Sequence, residues 1–166
     1  MSTGAWKDIA LGEEAAVYAY GVIAARFPAG VERNRAADLV VVHARARDRA
    51  RAALAAADSQ PDLPAVFEMP FPVDSSLAAR RLAAVVESRL VDVYTGLAGD
   101  FEGDERKAVV AAGAECAARA VTWGARPAAF PGARANESQP TSRPATSASR
   151  TATTSAVAGD GAVLSR

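Results

Sequence analysis

Asp58-Ser-Gln-Pro-Asp-Leu-Pro-Ala-Val-Phe-Glu-Met-Pro-Phe-Pro-Val-Asp74 is the stretch on which the architecture turns. It joins two helix-like segments, and its four prolines, Pro61, Pro64, Pro70 and Pro72, favour an extended, polyproline-like path. Its length exceeds the ~12 to 15 residues that a compact domain ordinarily gives a plain loop. Fully extended at ~3.3 Å per residue it reaches ~56 Å, whereas the helix before it, at 1.5 Å per residue, is ~40 Å long. The link can therefore run back along a whole bundle. Leu63, Val66, Phe67, Met69 and Phe71 give it apolar side chains to dock there.

Outward from this segment, four stretches read as helix. The first, about Ala5 to Phe27, stops at Pro28-Ala-Gly30; Trp6, Ile9, Ala16, Val17, Tyr20, Ala24 and Phe27 fall on one face, and Leu11, Ala15, Tyr18 and Val22 on a second. The second, about Val31 to Ala57, carries Leu39, Val42, Ala46, Ala50, Ala53 and Leu54 inward. Its arginines Arg45, Arg47, Arg49 and Arg51 alternate sides at ~100° per residue, which argues for a solvated ion-pair ladder with Asp48 rather than a single basic face. The third, about Ser75 to Ala98 behind the N-cap candidate Asp74, has the seam Leu82, Val86, Leu90, Val93 and Leu97. The fourth, about Glu105 to Gly124 behind Asp104, has the seam Val109, Gly113, Cys116, Ala120 and Trp123, which makes Cys116 a small core residue. Two short connections force antiparallel neighbours, and the long one reverses nothing. The expected fold is all-α: an up-down-down-up four-helix bundle with one long crossover, the ferritin-like arrangement.

Composition narrows the function classes. The 166 residues hold 19 Lys+Arg against 19 Asp+Glu, with one His and one Cys. Zero net charge gives no electrostatic case for nucleic acid or an anionic membrane, and one Cys excludes an intrachain disulfide framework. The balance divides along the chain: residues 126–166 carry five Arg against Glu137 and Asp160, while residues 1–125 carry 14 basic and 17 acidic groups. Residues 126–166 are rich in Ser, Thr, Ala, Pro and Gly and read as a disordered tail behind a folded domain of residues 1–125. The first residues lack a basic-then-apolar leader, and no apolar run approaches the ~18 residues of a membrane span, so a cytoplasmic location is the expectation.

The bundle topology makes a metal centre the sharpest chemical question. Two iron ions in such a bundle are held by a Glu from each of two helices and a Glu-x-x-His from each of the other two. Here Val40 stands three residues before His43, and Ala118 three residues after Glu115, so both Glu-x-x-His motifs are missing. A thinner set remains, one group per helix: Glu13 or Glu14, His43, Glu87 and Glu115. These either bind a metal or form a partly buried polar network with Arg45, Arg47 or Arg119. Tyr18, Tyr20 and Tyr94 read as core or interface aromatics.

Glu14-Ala-Ala-Val-Tyr-Ala-Tyr-Gly21, His43-Ala-Arg-Ala-Arg-Asp48, Pro70-Phe-Pro-Val73 and Trp123 together resemble the actinobacterial ferritin-like family called domain of unknown function 4439, over about Ala5 to Gly124. The resemblance implies a ferritin-like bundle in a cytoplasmic protein with no established activity. It also implies a His after the helix-one Glu, where this chain has Glu14, a departure that removes a potential ligand. The expectation is accordingly a structural or interaction protein without catalytic residues, nucleic acid or membrane, in which the second apolar faces of two helices are covered by a homodimer partner or by the crossover; a small-molecule ligand in the bundle core is a third reading that no residue names. The alternative is a degenerate di-iron or single-metal oxidoreductase using iron at the carboxylate and His43 cluster.

Overall fold

A computed structural model describes residues 2–64 and 66–127, and among them all regular structure is helical. Four long helices, α1 (Thr3–Arg26), α2 (Val31–Ala55), α3 (Ser76–Leu97) and α4 (Gly103–Thr122), account for it, with a 3₁₀ turn at Ala98–Asp100 before α4. The expected residue 126–166 tail lies outside the described residues apart from its first two positions.

Contacts between helices set their directions. Ser76 Oγ at the start of α3 donates to the Arg26 carbonyl at the end of α1 at 3.2 Å, so the two run antiparallel. Arg80 pairs with Glu32 near the starts of α3 and α2, and His43 reaches Glu87 farther along both, so these two run parallel. Going back along α3 from Tyr94 to Glu87, α4 advances from Gly113 to Arg119, which makes the pair antiparallel. The result is the up-down-down-up order that the long crossover demands.

Local signals differ from the sequence expectation at the helix starts. Ser75, not Asp74, caps α3 by accepting from the Ala78 amide at 3.2 Å. α4 begins at Gly103 behind Glu102, which leaves Asp104 inside the first turn beside Glu105, where negative charge suits the helix dipole. At its other end, Gly124 takes φ +102°, and the Ala125 and Gly124 amides close onto the Ala120 and Val121 carbonyls, a Schellman stop.

The buried stripe of α2 departs from the expected one chiefly at Val42. Ala36, Leu39, His43, Ala46, Ala50 and Leu54 are buried, whereas Val42 is exposed, so His43 takes the inward place expected of Val42. The expected α4 seam is buried throughout. In α3 the buried stripe is Ala79, Leu82, Ala83, Glu87, Leu90, Val91 and Tyr94, with Val86, Val93 and Leu97 only half-buried. On the second face of α1, Leu11 and Tyr18 are exposed, and Tyr18 meets Phe67 of the crossover at 6.1 Å between ring centroids. In the arginine ladder Asp48 pairs with Arg47 at 2.9 Å, and Arg51 turns to Glu14 instead.

Two glycines separate propensity from packing. A Cβ on Gly113 would stand 3.1 Å from the Tyr94 Cβ, an atom tied to its backbone, so α3 and α4 touch there because the side chain is missing. Gly113→Ala is expected to destabilise by about 1–3 kcal/mol through overpacking. Gly21 lies mid-helix with nothing near its missing Cβ, and Gly21→Ala is expected to stabilise by about 0.5–1 kcal/mol. Urea midpoints of the two variants should move in opposite directions.

Candidate functional site

Two apolar layers fill the ends of the bundle. One gathers Ile9, Leu54, Leu90, Phe101 and Val109, the other Ile23, Phe27, Leu39, Leu82 and Trp123. Between them sits a polar layer to which every helix contributes. Glu13 of α1, His43 of α2 and Glu87 of α3 are each at most 1% exposed.

His43 is the centre of that layer. Its Nδ1 lies 2.7 Å from Glu13 Oε2 and its Nε2 lies 3.2 Å from Glu87 Oε1, so both ring nitrogens face carboxylates. Tyr94 donates to Glu13 Oε1 at 2.5 Å, and Tyr20 donates to Glu87 Oε1 at 2.8 Å while its ring stacks on the imidazole at 5.1 Å. From α4, Arg119 donates through Nε to Glu87 Oε1 at 3.0 Å and through a terminal nitrogen to the Cys116 sulfur at 3.1 Å. Glu87 Oε1 therefore receives three donors, and Oε2 has no hydrogen-bond partner among the described residues.

The arrangement has an internal symmetry. Glu13 precedes Tyr20 by seven residues on α1, and Glu87 precedes Tyr94 by seven on α3. Seven residues are close to two helical turns, so each Tyr lies on the face of its own Glu. Because α1 and α3 run antiparallel, each Tyr arrives opposite the other helix's Glu and donates to it. The two bonds cross, with His43 between the carboxylates.

Electrostatics follow from the geometry. Burial pushes the His43 pKa down, but the hydrogen bonds to Glu13 and Glu87 and the charges of both carboxylates outweigh it and hold the ring above its ordinary value. Burial pushes Glu87 up, yet the His43 bond, the His43 and Arg119 charges and the Tyr20 bond together keep it below the usual carboxylate range. The layer thus sets one imidazole and one guanidinium against two carboxyl side chains. Tyr20 and Tyr94 are pushed up, first by burial and then by the carboxylates they face, and remain neutral donors. Burial, then the Glu87 charge, raises the Cys116 thiol, which makes it a packed side chain rather than a nucleophile.

These shifts give stability a pH dependence with two signs. The raised His43 contributes stability that is fully present below its unfolded value of 6.5 and is lost as pH rises through the folded value. The lowered Glu87 contributes stability present above its unfolded value of 4.5 and lost as pH falls through the folded value. Melting temperature followed by circular dichroism should therefore be highest from about pH 4.5 to 6.5 as far as this layer controls it. It should fall on both sides.

Of the sequence-derived candidates, Glu13, His43 and Glu87 come together, and Glu14 and Glu115 do not. Glu14 points to the bundle flank, where Arg51 holds it at 2.6 Å and Arg47 at 3.4 Å. Glu115 is exposed and meets only the far side of Arg119, at 3.5 Å. The donor set suits a two-iron centre poorly. Such a centre takes about four carboxylates and two imidazoles, whereas this layer offers two carboxylates, one imidazole engaged at both nitrogens and a guanidinium on α4. Among the described residues no three His, Cys, Asp or Glu side chains are placed to hold a metal ion. Tyr20 and Tyr94, expected from the sequence as core or interface aromatics, are donors to these carboxylates, and the repeated Glu-x6-Tyr spacing on α1 and α3 is the sequence signal of that role.

The model of one family, the domain of unknown function DUF4439, matches residues 5–135. The chain belongs to this family. A solved structure is similar to it: the crystal structure of a conserved hypothetical protein, rv2844, from Mycobacterium tuberculosis, at 28% identity and TM-score 0.65, over 72% of this chain and 91% of that one. No curated protein matches the chain. Among the described residues of this DUF4439 member, no helix is long and apolar enough to cross a membrane.

Proposed function

We propose that this DUF4439 chain is a ferritin-like bundle whose central layer has become a closed ion-pair network, and that the protein serves a non-catalytic binding or structural role in the cytoplasm. One observation carries the reading: His43 is held at both ring nitrogens by Glu13 and Glu87. A divalent cation would have to displace the His43 proton from between Glu13 and Glu87 and would stand beside the Arg119 guanidinium on Glu87, which sets two buried positive charges against one another. The bundle's folded unit is taken as residues 1–125.

Metal analysis of the purified chain, followed by anaerobic Fe(II) titration and oxygen exposure, tests this directly. The expected result is no stoichiometric iron and no oxidation transient. Stoichiometric iron that is lost on His43→Ala would replace this reading with that of a metal-dependent oxidoreductase. The exposed Leu11 and Tyr18 also favour a homodimer, and light scattering that shows a strict monomer at micromolar concentration would remove that part.

A further inference from the structure

Two sides of α3 are covered, one by α1 and one by α4. Its outer flank is not left bare: Ala84, Val85 and Ser88 are half-buried there. They floor a hollow of ≈ 540 Å³, open outward, whose rim is Arg81, Arg89 and Asp92 of α3 together with Ala125 and Arg126. The stop at Gly124 turns the chain off the axis of α4, and the first residues to leave that helix therefore come to lie beside this flank.

The sequence that follows is Pro127-Ala-Ala-Phe-Pro-Gly132. Phe130 is the last aromatic residue of the chain, and no Leu, Ile, Met or Val follows it before Val157. The family match does not stop with α4. It runs on through Phe130 to residue 135, and ends where the chain turns to Ser, Thr, Ala and Pro. A shared pattern beyond a helix end points to residues that pack, because a freely solvated tail places little demand on its side chains.

Reach and chemistry fit the same ring to the same floor. Phe130 stands four residues after Arg126, ~13 Å at ~3.3 Å per residue, and the hollow from Arg81 to Asp92 is about 16 Å long at 1.5 Å per residue. Pro127 and Pro131 fix their own backbone and bias Arg126 and Phe130 toward extended conformations, so the short segment has little freedom to lose on docking. Ala84 and Val85 offer apolar surface, and the stems of Arg81 and Arg89 extend it. Guanidinium groups at a rim suit an aromatic ring, and Arg81 already lies over the Phe71 ring at 4.7 Å. Asp92, the one acid, stands a full turn past Ser88 at the far end.

We infer that residues 127–131 fold back along the outer flank of α3 and seat the Phe130 ring on Ala84, Val85 and Ser88, so that the folded domain closes near residue 135 and not at the end of α4. This goes beyond the reading above, whose folded unit ends at residue 125, and rests on nothing in the central layer: iron loading would overturn that reading and leave this one standing.

The test uses the full chain with its five phenylalanines replaced by 4-fluorophenylalanine. The fluorine resonance lost in Phe130→Leu belongs to residue 130. It should lie away from the position of the free amino acid, and Val85→Glu and Ser88→Glu should each move it there at unchanged helix content, since Val85 and Ser88 lie outside both core layers. Phe130→Ala should lower the melting temperature by about 3–5 °C, whereas Leu164→Ala, beyond the family match, should not change it. A wild-type resonance already at the free position, or one that neither flank variant moves, overturns the proposal. So does a displacement that vanishes on dilution, which would give the hollow to Phe130 of a second copy.

Discussion

His43→Ala should destabilise the protein by about 3–5 kcal/mol, because it leaves Glu13 and Glu87 facing one another across a buried gap with their shared partner gone. Glu87 keeps Arg119 and Tyr20, whereas Glu13 keeps only the Tyr94 hydroxyl. Against a total of about 5–15 kcal/mol for an ordinary domain, the loss is a large fraction. It has a signature that a simple cavity lacks. Wild type holds the full His43 contribution below pH 6.5 and loses it as pH rises, and the variant has no such contribution, so the deficit relative to wild type should widen as pH falls from about 7 to about 5. Urea unfolding at the two pH values measures this, and a deficit that is equal at both would show that lost packing, not the lost His43 ion pairs, is the cause.

The second large effect runs the other way. Replacing the whole layer by apolar groups of similar size, Glu13→Leu, His43→Leu, Glu87→Leu and Arg119→Met with Tyr20→Phe and Tyr94→Phe, should restore stability to near wild type or exceed it by about 1–4 kcal/mol. Each single change strands a carboxylate or its partner inside the layer, whereas the set leaves only the Cys116 thiol and the exposed Glu115 without Arg119. The swing from His43→Ala to the sixfold variant is the quantity of interest, since it measures the penalty of broken pairing separately from the net worth of the network. The variant should also lose the fall in melting temperature on either side of the pH 4.5–6.5 plateau, as the groups that titrate there are gone. A sixfold variant that stays as unstable as His43→Ala would mean that the polar layer holds the helices in register. Coiled coils use a buried polar residue in that way.

Much of the architecture was legible in the chain. The apolar spacing placed four helices, and the Asp58–Asp74 segment decided their directions, because only a link of that reach allows two successive helices to run parallel. Helix starts were less legible: Asp74 and Ser75 are both good caps, and the choice between them rests on which backbone amide comes within reach. In α2 the apolar pattern alone favoured Val42, since an inward His is costly until its partners are known.

Sequence by itself determined the four helices, their order, the one long crossover and the shortage of metal ligands, all of which follow from local spacing and residue type. Tertiary structure alone decided which polar groups meet. Glu13 and Glu14 are adjacent in sequence and ~100° apart around α1, and only the positions of α2 and α3 make one the core of an ion-pair layer and the other a flank residue. The crossed bonds join residues 67 and 81 positions apart, and a half-open cleft lies where the small side chains of α1 pass beneath Phe67 and Met69 of the crossover. Both depend on the rotation and separation of packed helices, which are set by the sum of contacts over the whole core and by no single stretch of chain.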